Sequence, residues 1–211
     1  MDVLRFKQAN CKNCYKCVRF CPVKSIRVYQ GHAQIISSDC ILCGNCVSVC
    51  PQHAKEDISD VAQIQELIAS GHQVVVSVDS SYIAYFDTPG FAGIAEPLKK
   101  LGFAAAHETA EGAYLVKKEL EKLAAQPGDA PIITSGCSTI VLYVEKPLPE
   151  ALPYLAPVLS PMQAHAVLLR KRYPGATIVY VSPCISKKEE TTRFESVGAD
   201  YDITFTELED W

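Results

Sequence analysis

The chain has 211 residues, a formal net charge of −4, and 48% apolar against 21% charged residues. That balance excludes a disordered or collagen-like chain and allows one or two domains with real cores. No apolar run approaches the roughly 18 residues that cross a bilayer. Met1–Asn10 carries three charges and no apolar stretch, so no secretory leader is expected and the chain reads as cytoplasmic.

Cysteine and charge are both unevenly spread. Eight of the ten cysteines fall between Cys11 and Cys50, leaving Cys137 and Cys184 in the remainder. In a leaderless chain, clustered thiols point to metal ligation rather than disulfides. Residues 1–55 hold eight Lys/Arg against Asp2 and Asp39, a net +6, so residues 56–211 carry −10. A basic segment can signal nucleic acid. Here it also suits anionic thiolate-bound iron, whose charge it would offset, and no nucleic-acid partner is expected.

The N-terminal segment is an internal repeat. Cys11-x-x-Cys14-x-x-Cys17-x-x-x-Cys21-Pro22 recurs as Cys40-x-x-Cys43-x-x-Cys46-x-x-x-Cys50-Pro51, offset by 29 residues at every cysteine. Three cysteines at i, i+3 and i+6 can wrap one face of a cubane, and the fourth points away from that loop. The pattern resembles that of bacterial two-cluster ferredoxins. The resemblance implies one 4Fe–4S cluster on Cys11, Cys14, Cys17 and Cys50, and a second on Cys40, Cys43, Cys46 and Cys21. Structural zinc is the competing reading, but it favours two separated C-x-x-C pairs, often with His. Between the copies, Ser25–Tyr29 and Ala33–Ile36 read as strands around a Gln30-Gly31 turn.

After Cys50 the periodicity changes. Ser59 opens a helix carrying Val61, Ile64, Leu67 and Ile68 on one face, closed by Gly71. His72–Val78 is a strand. Pro89–Leu101 and Thr109–Ala125 are helices, stopped by Gly102 and by Gln126-Pro127-Gly128. Pro131–Thr134 is a short strand. Ser160 caps a helix with Pro161 at its first position and Gln163 completing a capping box, running to Tyr173. Ala176–Val181 is another strand. Alternating strands and helices predict a mainly parallel α/β sheet. The acidic stretch Glu189–Trp211 reads as a solvated surface or a segment that continues further. Cys137 and Cys184 each follow an expected strand, where open α/β sheets place ligands. On spacing alone, two inert buried thiols would serve equally.

Four segments carry a further resemblance. Thr134-Ser135-Gly136-Cys137-Ser138 is similar to the T-S-C-C-P motif of the iron-only (FeFe) hydrogenases. Ser182-Pro183-Cys184-Ile185-Ser186-Lys187-Lys188-Glu189-Glu190 is similar to their M-P-C-x-x-K-x-x-E motif. Leu155–Gln163 resembles the segment ending S-P-Q-Q-M, and Leu101-Gly102-Phe103 fits as well. The resemblance implies that Cys137 and Cys184 are two of four thiolates holding the 4Fe–4S part of an H-cluster. It makes Lys187 a donor to a cyanide of the two-iron part, and Lys187 and Glu190 the candidate catalytic residues. It also exposes departures. Gly136 stands where the family has its proton-shuttling cysteine, Ser182 where it has Met, and Ala156 where a serine of the proton path aligns. The third motif, E-x-M-x-C-x-x-x-C, does not occur in these residues.

The resulting expectation is an α+β two-cluster ferredoxin domain over 1–55, a linker helix over 56–72, and a partial FeFe-hydrogenase-like α/β domain over 73–211. The function expected is electron transfer between two 4Fe–4S clusters and an H-cluster-like site in a sensory or regulatory hydrogenase of an anaerobe. A weakly active hydrogenase and a plain ferredoxin-type module are the alternatives. The expected partner is a redox protein, or further iron–sulfur and PAS-type sensor domains beyond Trp211, with no membrane involvement. Two cubanes predict about eight iron atoms, with matching acid-labile sulfide, in anaerobically purified chain. Zinc in place of iron would overturn the reading.

Overall fold

The computed structural model describes residues 3–126, 130–194 and 197–211. The expected helix stop at Pro127-Gly128 lies outside the described residues. In the N-terminal unit, β1 (Leu4–Phe6) pairs antiparallel with β4 (Lys55–Asp57), and β2 (Ile26–Tyr29) with β3 (His32–Ile35). Two short helices, α1 (Lys16–Phe20) and α2 (Asn45–Ser48), lie against each other. The β2–β3 turn has positive φ at both Gln30 (49°) and Gly31 (80°), the backbone a two-residue hairpin needs.

The sequence repeat is also a backbone repeat. Asn13 and Leu42, Tyr15 and Gly44, and Lys24 and His53 all adopt positive φ, each pair 29 residues apart. Non-glycine residues enter this region at a cost of order 1–3 kcal/mol and persist where surroundings over-determine them. Here they bend each cysteine loop back on itself.

The C-terminal unit is built on a four-stranded parallel sheet in the order β6-β5-β7-β8. Its strands are β5 (Val74–Val78), β6 (Ala105–Glu108), β7 (Thr177–Ser182) and β8 (Tyr201–Thr204). All five residues of β5 are buried, as an apolar run covered on both faces requires. One face packs Val76, Val78, Val179 and Ile203 against α3 (Val61–Ala69), α5 (Ala92–Lys100) and α10 (Phe205–Asp210). The other packs Val75, Ile178 and Tyr180 against Met162, Ala166 and Leu169 of α8 (Pro161–Arg172). Helix α6 (Ala110–Ala124) lies along α8, while α4 (Tyr82–Tyr85), α7 (Ser138–Glu145) and α9 (Lys187–Arg193) fill the connections. Ser160 accepts from the Gln163 amide while Gln163 accepts from the Ser160 amide, so the expected capping box is formed. Among the described residues no helix is long and apolar enough to cross a membrane.

A buried polar chain ties α8 to the sheet. Thr109 donates its hydroxyl to the Val78 carbonyl. Ser77 therefore donates to Thr109 (2.8 Å), and His165 Nδ1 donates to Ser77 (2.7 Å). Burial lowers the His165 pKa to about 4, keeping the ring neutral.

Two expectations need correction, and one strand was not expected. Pro131–Thr134 is not a strand of the sheet: only Ile133 bridges, to Leu155, and Pro131 has no amide to donate. Ala105–Glu108, weak in β-branched residues, pairs beside β5 because tertiary pairing overrides propensity. The acidic stretch 189–211 is not a solvated surface. It supplies β8 and α10, with Glu190 5% and Asp202 0% exposed. Lys188 makes this possible, donating to both Glu207 carboxylate oxygens and to the Asp202 carbonyl. Burial pushes the Asp202 carboxyl well above its ordinary range.

Helices α6 and α8 approach most closely at Gly112. A β-carbon there would lie 2.3 Å from the Pro161 carbonyl oxygen and 2.8 Å from the His165 nitrogen. Gly112→Ala is expected to destabilise the protein by about 1–3 kcal/mol, as overpacking does. Denaturant unfolding of the two proteins checks it.

Candidate iron–sulfur sites

The N-terminal unit gathers its thiols into two groups. Cys21, Cys40, Cys43 and Cys46 line one small cavity, closed by Pro22, Ile26 and Leu42. Cys21 therefore sits with the second copy of the motif, not with the first. In the other group, Cys17 lies within electrostatic reach of Cys11 and Cys50. Backbone amides aim at the sulfurs: Ser25 N on Cys21 (3.3 Å), Ala54 N on Cys50 (3.3 Å) and Leu42 N on Cys40 (3.4 Å). The first two bonds are the same bond in each copy. Such donors stabilise thiolates and the anionic clusters that thiolates hold.

Cys46 is 9% exposed, and burial pushes its thiol up to about 12. Burial raises Cys17 as well. The Lys55 charge acts against burial at both, favouring the thiolate. Iron binding must therefore expel protons that these buried thiols hold in the metal-free chain. Among the described residues no three His, Cys, Asp or Glu side chains converge on a single-ion site. A cubane spreads its thiolates over a wider shell than one ion does.

In the C-terminal unit, Cys184 follows β7 at the carboxyl edge of the sheet, as expected. Cys137 does not follow a sheet strand; it precedes α7. The two loops are nevertheless tied together. Lys187 donates to the Gly136 carbonyl (3.2 Å) and to Glu190 Oε2 (2.6 Å). Glu190 also accepts from Ser138 and Ser160. Ser182 Oγ accepts from the Cys184 amide (3.2 Å), and Cys184 Sγ lies 2.9 Å from Ser186 Oγ. Beside this network is a cavity of about 190 Å³ lined by Ala156, Ser138, Ser160 and Glu190. A β-carbon on Gly136 would meet only Pro161 Cδ, at 3.6 Å.

The units meet at the second cysteine loop. A β-carbon on Gly44 would sit 3.8 Å from Ile185 Cδ1, so the Cys43–Cys46 turn abuts the Cys184 loop. Lys146, after α7, donates to the carbonyls of Ser37 (3.3 Å) and Cys40 (2.5 Å) across a cleft of about 600 Å³. Sequence reasoning read Ser160 only as a helix cap and Ser138 only as part of a motif, and it did not single out Lys146. It counted Lys55 only in a charge tally, although a lysine in the strand after Cys50-Pro51 was a signal open to notice.

Comparison with known proteins extends the picture. Residues 72–211 match the family described as iron only hydrogenase large subunit, C-terminal domain, and residues 4–51 match the 4Fe-4S dicluster domain. The NADP-reducing hydrogenase subunit HndD of Solidesulfovibrio fructosivorans is 30% identical over 200 residues, covering 81% of this chain and 34% of that protein. The cytosolic Fe-S cluster assembly factor NAR1 of Candida dubliniensis is 26% identical over 183 residues, covering 77% and 31%. The chain thus spans about a third of the length of these curated relatives. A solved FeFe-hydrogenase structure, from work on oxygen inactivation of its H cluster, superposes with a TM-score of 0.56 at 25% identity, covering 72% of this chain and 47% of that one. The fold class expected from the sequence, a ferredoxin-like region followed by a parallel α/β domain, is the one these comparisons reach.

The cavity generates a test of the crossed fourth ligand. Cys21→Ser is expected to damage the cluster of Cys40, Cys43 and Cys46 and spare its sequence neighbour. Electron paramagnetic resonance of the reduced variant reads which signal is lost; loss of the Cys11–Cys14–Cys17 signal alone would refute the crossed assignment.

Proposed function

Because the chain belongs to the iron-only hydrogenase large-subunit family, we propose that it relays electrons between two 4Fe–4S clusters and an H-cluster-like site in a sensory or regulatory hydrogenase. The observation that carries this reading is the junction: the loop of Cys40, Cys43 and Cys46 touches the loop of Cys184. Bound clusters supply one-electron chemistry. The residues supply the rest. Eight cysteines hold the clusters, four to each. Cys137 and Cys184 provide two thiolates toward the H-cluster-like site, and the remaining two belong to a motif these residues do not contain. Lys187, held between Glu190 and the Gly136 carbonyl, presents a cationic donor to anionic ligands there. Lys12 and Arg19, beside exposed Cys14, form a basic face suited to an acidic redox partner.

The sensory part of the reading rests on Gly136. No side chain at that position can pass a proton, and Ala156 cannot continue a hydroxyl path. A positioned acid–base group contributes a factor of about 10² to 10⁴, or about 3 to 5 kcal/mol of barrier. A sensor needs occupancy rather than flux. The same glycine favours a second reading, a non-catalytic role of the kind the NAR1 name denotes, in iron–sulfur assembly.

The test is hydrogen-dependent dye reduction by the matured full-length protein. Wild type is expected to be slow and Gly136→Cys faster, with Ala156 and Ser182 limiting the gain. The open space at Gly136 admits the new side chain. A fast wild type that Gly136→Cys leaves unchanged would remove the sensory reading. No activity in either protein would favour assembly.

A further inference from the structure

Lys55 is 3% exposed, and its partners are unusual for a buried ammonium. It donates to the Ala33 carbonyl (3.2 Å) and lies 4.2 Å from the centroid of the Phe6 ring. Among the described residues no carboxylate stands within ion-pair distance of it, whereas the other buried lysines, Lys187 and Lys188, are each paired with acids. A buried charge without a counter-ion is strongly unfavourable. A carbonyl and an aromatic face offset only part of that.

The surroundings identify the anion that would pair with it. Ala33, which holds the ammonium, belongs to the small core formed with Cys21, Cys46 and Ile26, and Cys17 packs against it. Lys55 acts on Cys17 and Cys46, one thiol from each group of four, and Cys17 also acts on Cys46. The ammonium thus stands within electrostatic reach of one thiol from each group. Each cubane held by four thiolates is anionic and gains negative charge on reduction, and its potential follows the local charge.

We propose that Lys55 is the shared counter-ion of both clusters, raising the reduction potential of each. The inference rests on the two-cluster reading above. It assigns the lysine a task that Lys146 performs for one cluster only, since Lys146 reaches the Cys40 carbonyl alone among the ligand residues.

The experiment is a redox titration of the anaerobically reconstituted chain, followed by electron paramagnetic resonance, for wild type, Lys55→Met, Lys55→Arg and Lys146→Met. Lys55→Met is expected to lower both midpoint potentials with iron content unchanged. Lys55→Arg should stay near wild type, and Lys146→Met should lower one potential only. A Lys55→Met protein with neither potential moved, or one alone, overturns the inference while leaving the clusters in place. A wild type without four-iron signals overturns the two-cluster reading and takes the inference with it. Urea unfolding of the metal-free chains covers the case in which Lys55→Met fails to load. A shared counter-ion has nothing to pair with there, so Lys55→Met should be at least as stable as wild type. A less stable metal-free variant would mark Lys55 as a structural lysine and overturn the proposal.

Discussion

The carboxylate of Glu190 sits in the interior of the C-terminal unit and accepts hydrogen bonds from Ser138, Ser160 and Lys187. A buried carboxylate alone would be prohibitively unfavourable. Three donors, one of them charged, offset that. These donors come from segments distant in sequence: the start of α7, the cap of α8 and the start of α9. The carboxylate thereby sets where three otherwise independent segments begin. Lys187 extends the network to the Gly136 carbonyl, so the loops of Cys137 and Cys184 are held in one frame. Removing Lys187 would leave buried charge unmatched, and removing either serine would leave a buried carboxylate oxygen one donor short.

The N-terminal unit is organised on a different principle. Its apolar core is small, built around Ile26, Ala33, Cys21 and Cys46. A segment of this length buries too little surface to be robust without help. Thiols occupy the place that aliphatic side chains take elsewhere, and ligand binding supplies folding free energy. The left-handed residues and the amide-to-sulfur bonds, duplicated at the 29-residue offset, are the backbone's part of that arrangement.

Ionic contacts join these two principles. Lys146 crosses from α7 to the carbonyl of Cys40, and Lys188 reaches Asp57 of β4 at 3.6 Å while pairing with Glu207. Both lysines belong to the hydrogenase-like unit and reach acceptors in or beside the ferredoxin-like one. The cysteine loop nearest the α/β site is therefore held by the half-buried Lys146 ammonium, which donates to two of its carbonyls. At that junction Gly44 adopts a positive φ of 78°, which glycine takes without steric cost.

The sequence by itself determined the ligand chemistry and the class of fold. Cysteine spacing is a local property, because a loop of three thiolates is built within seven residues, and the repeat doubled the signal. The capping box at Ser160 and the valine run of β5 were legible for the same reason. Only the tertiary structure decided what the acidic residues and the lysines do. Asp202 and Lys55 read as ordinary charged residues, and Glu190 stood out only through a motif, because burial depends on partners far away in sequence. Strands β6 and β8 were hidden because their pairing comes from neighbours in the sheet, not from their own composition. Residues 131–134 misled in the opposite direction, being apolar enough for a strand but finding only one bridging partner. Local periodicity records which faces turn inward. Where a charge meets its counter-charge is set by the folded chain.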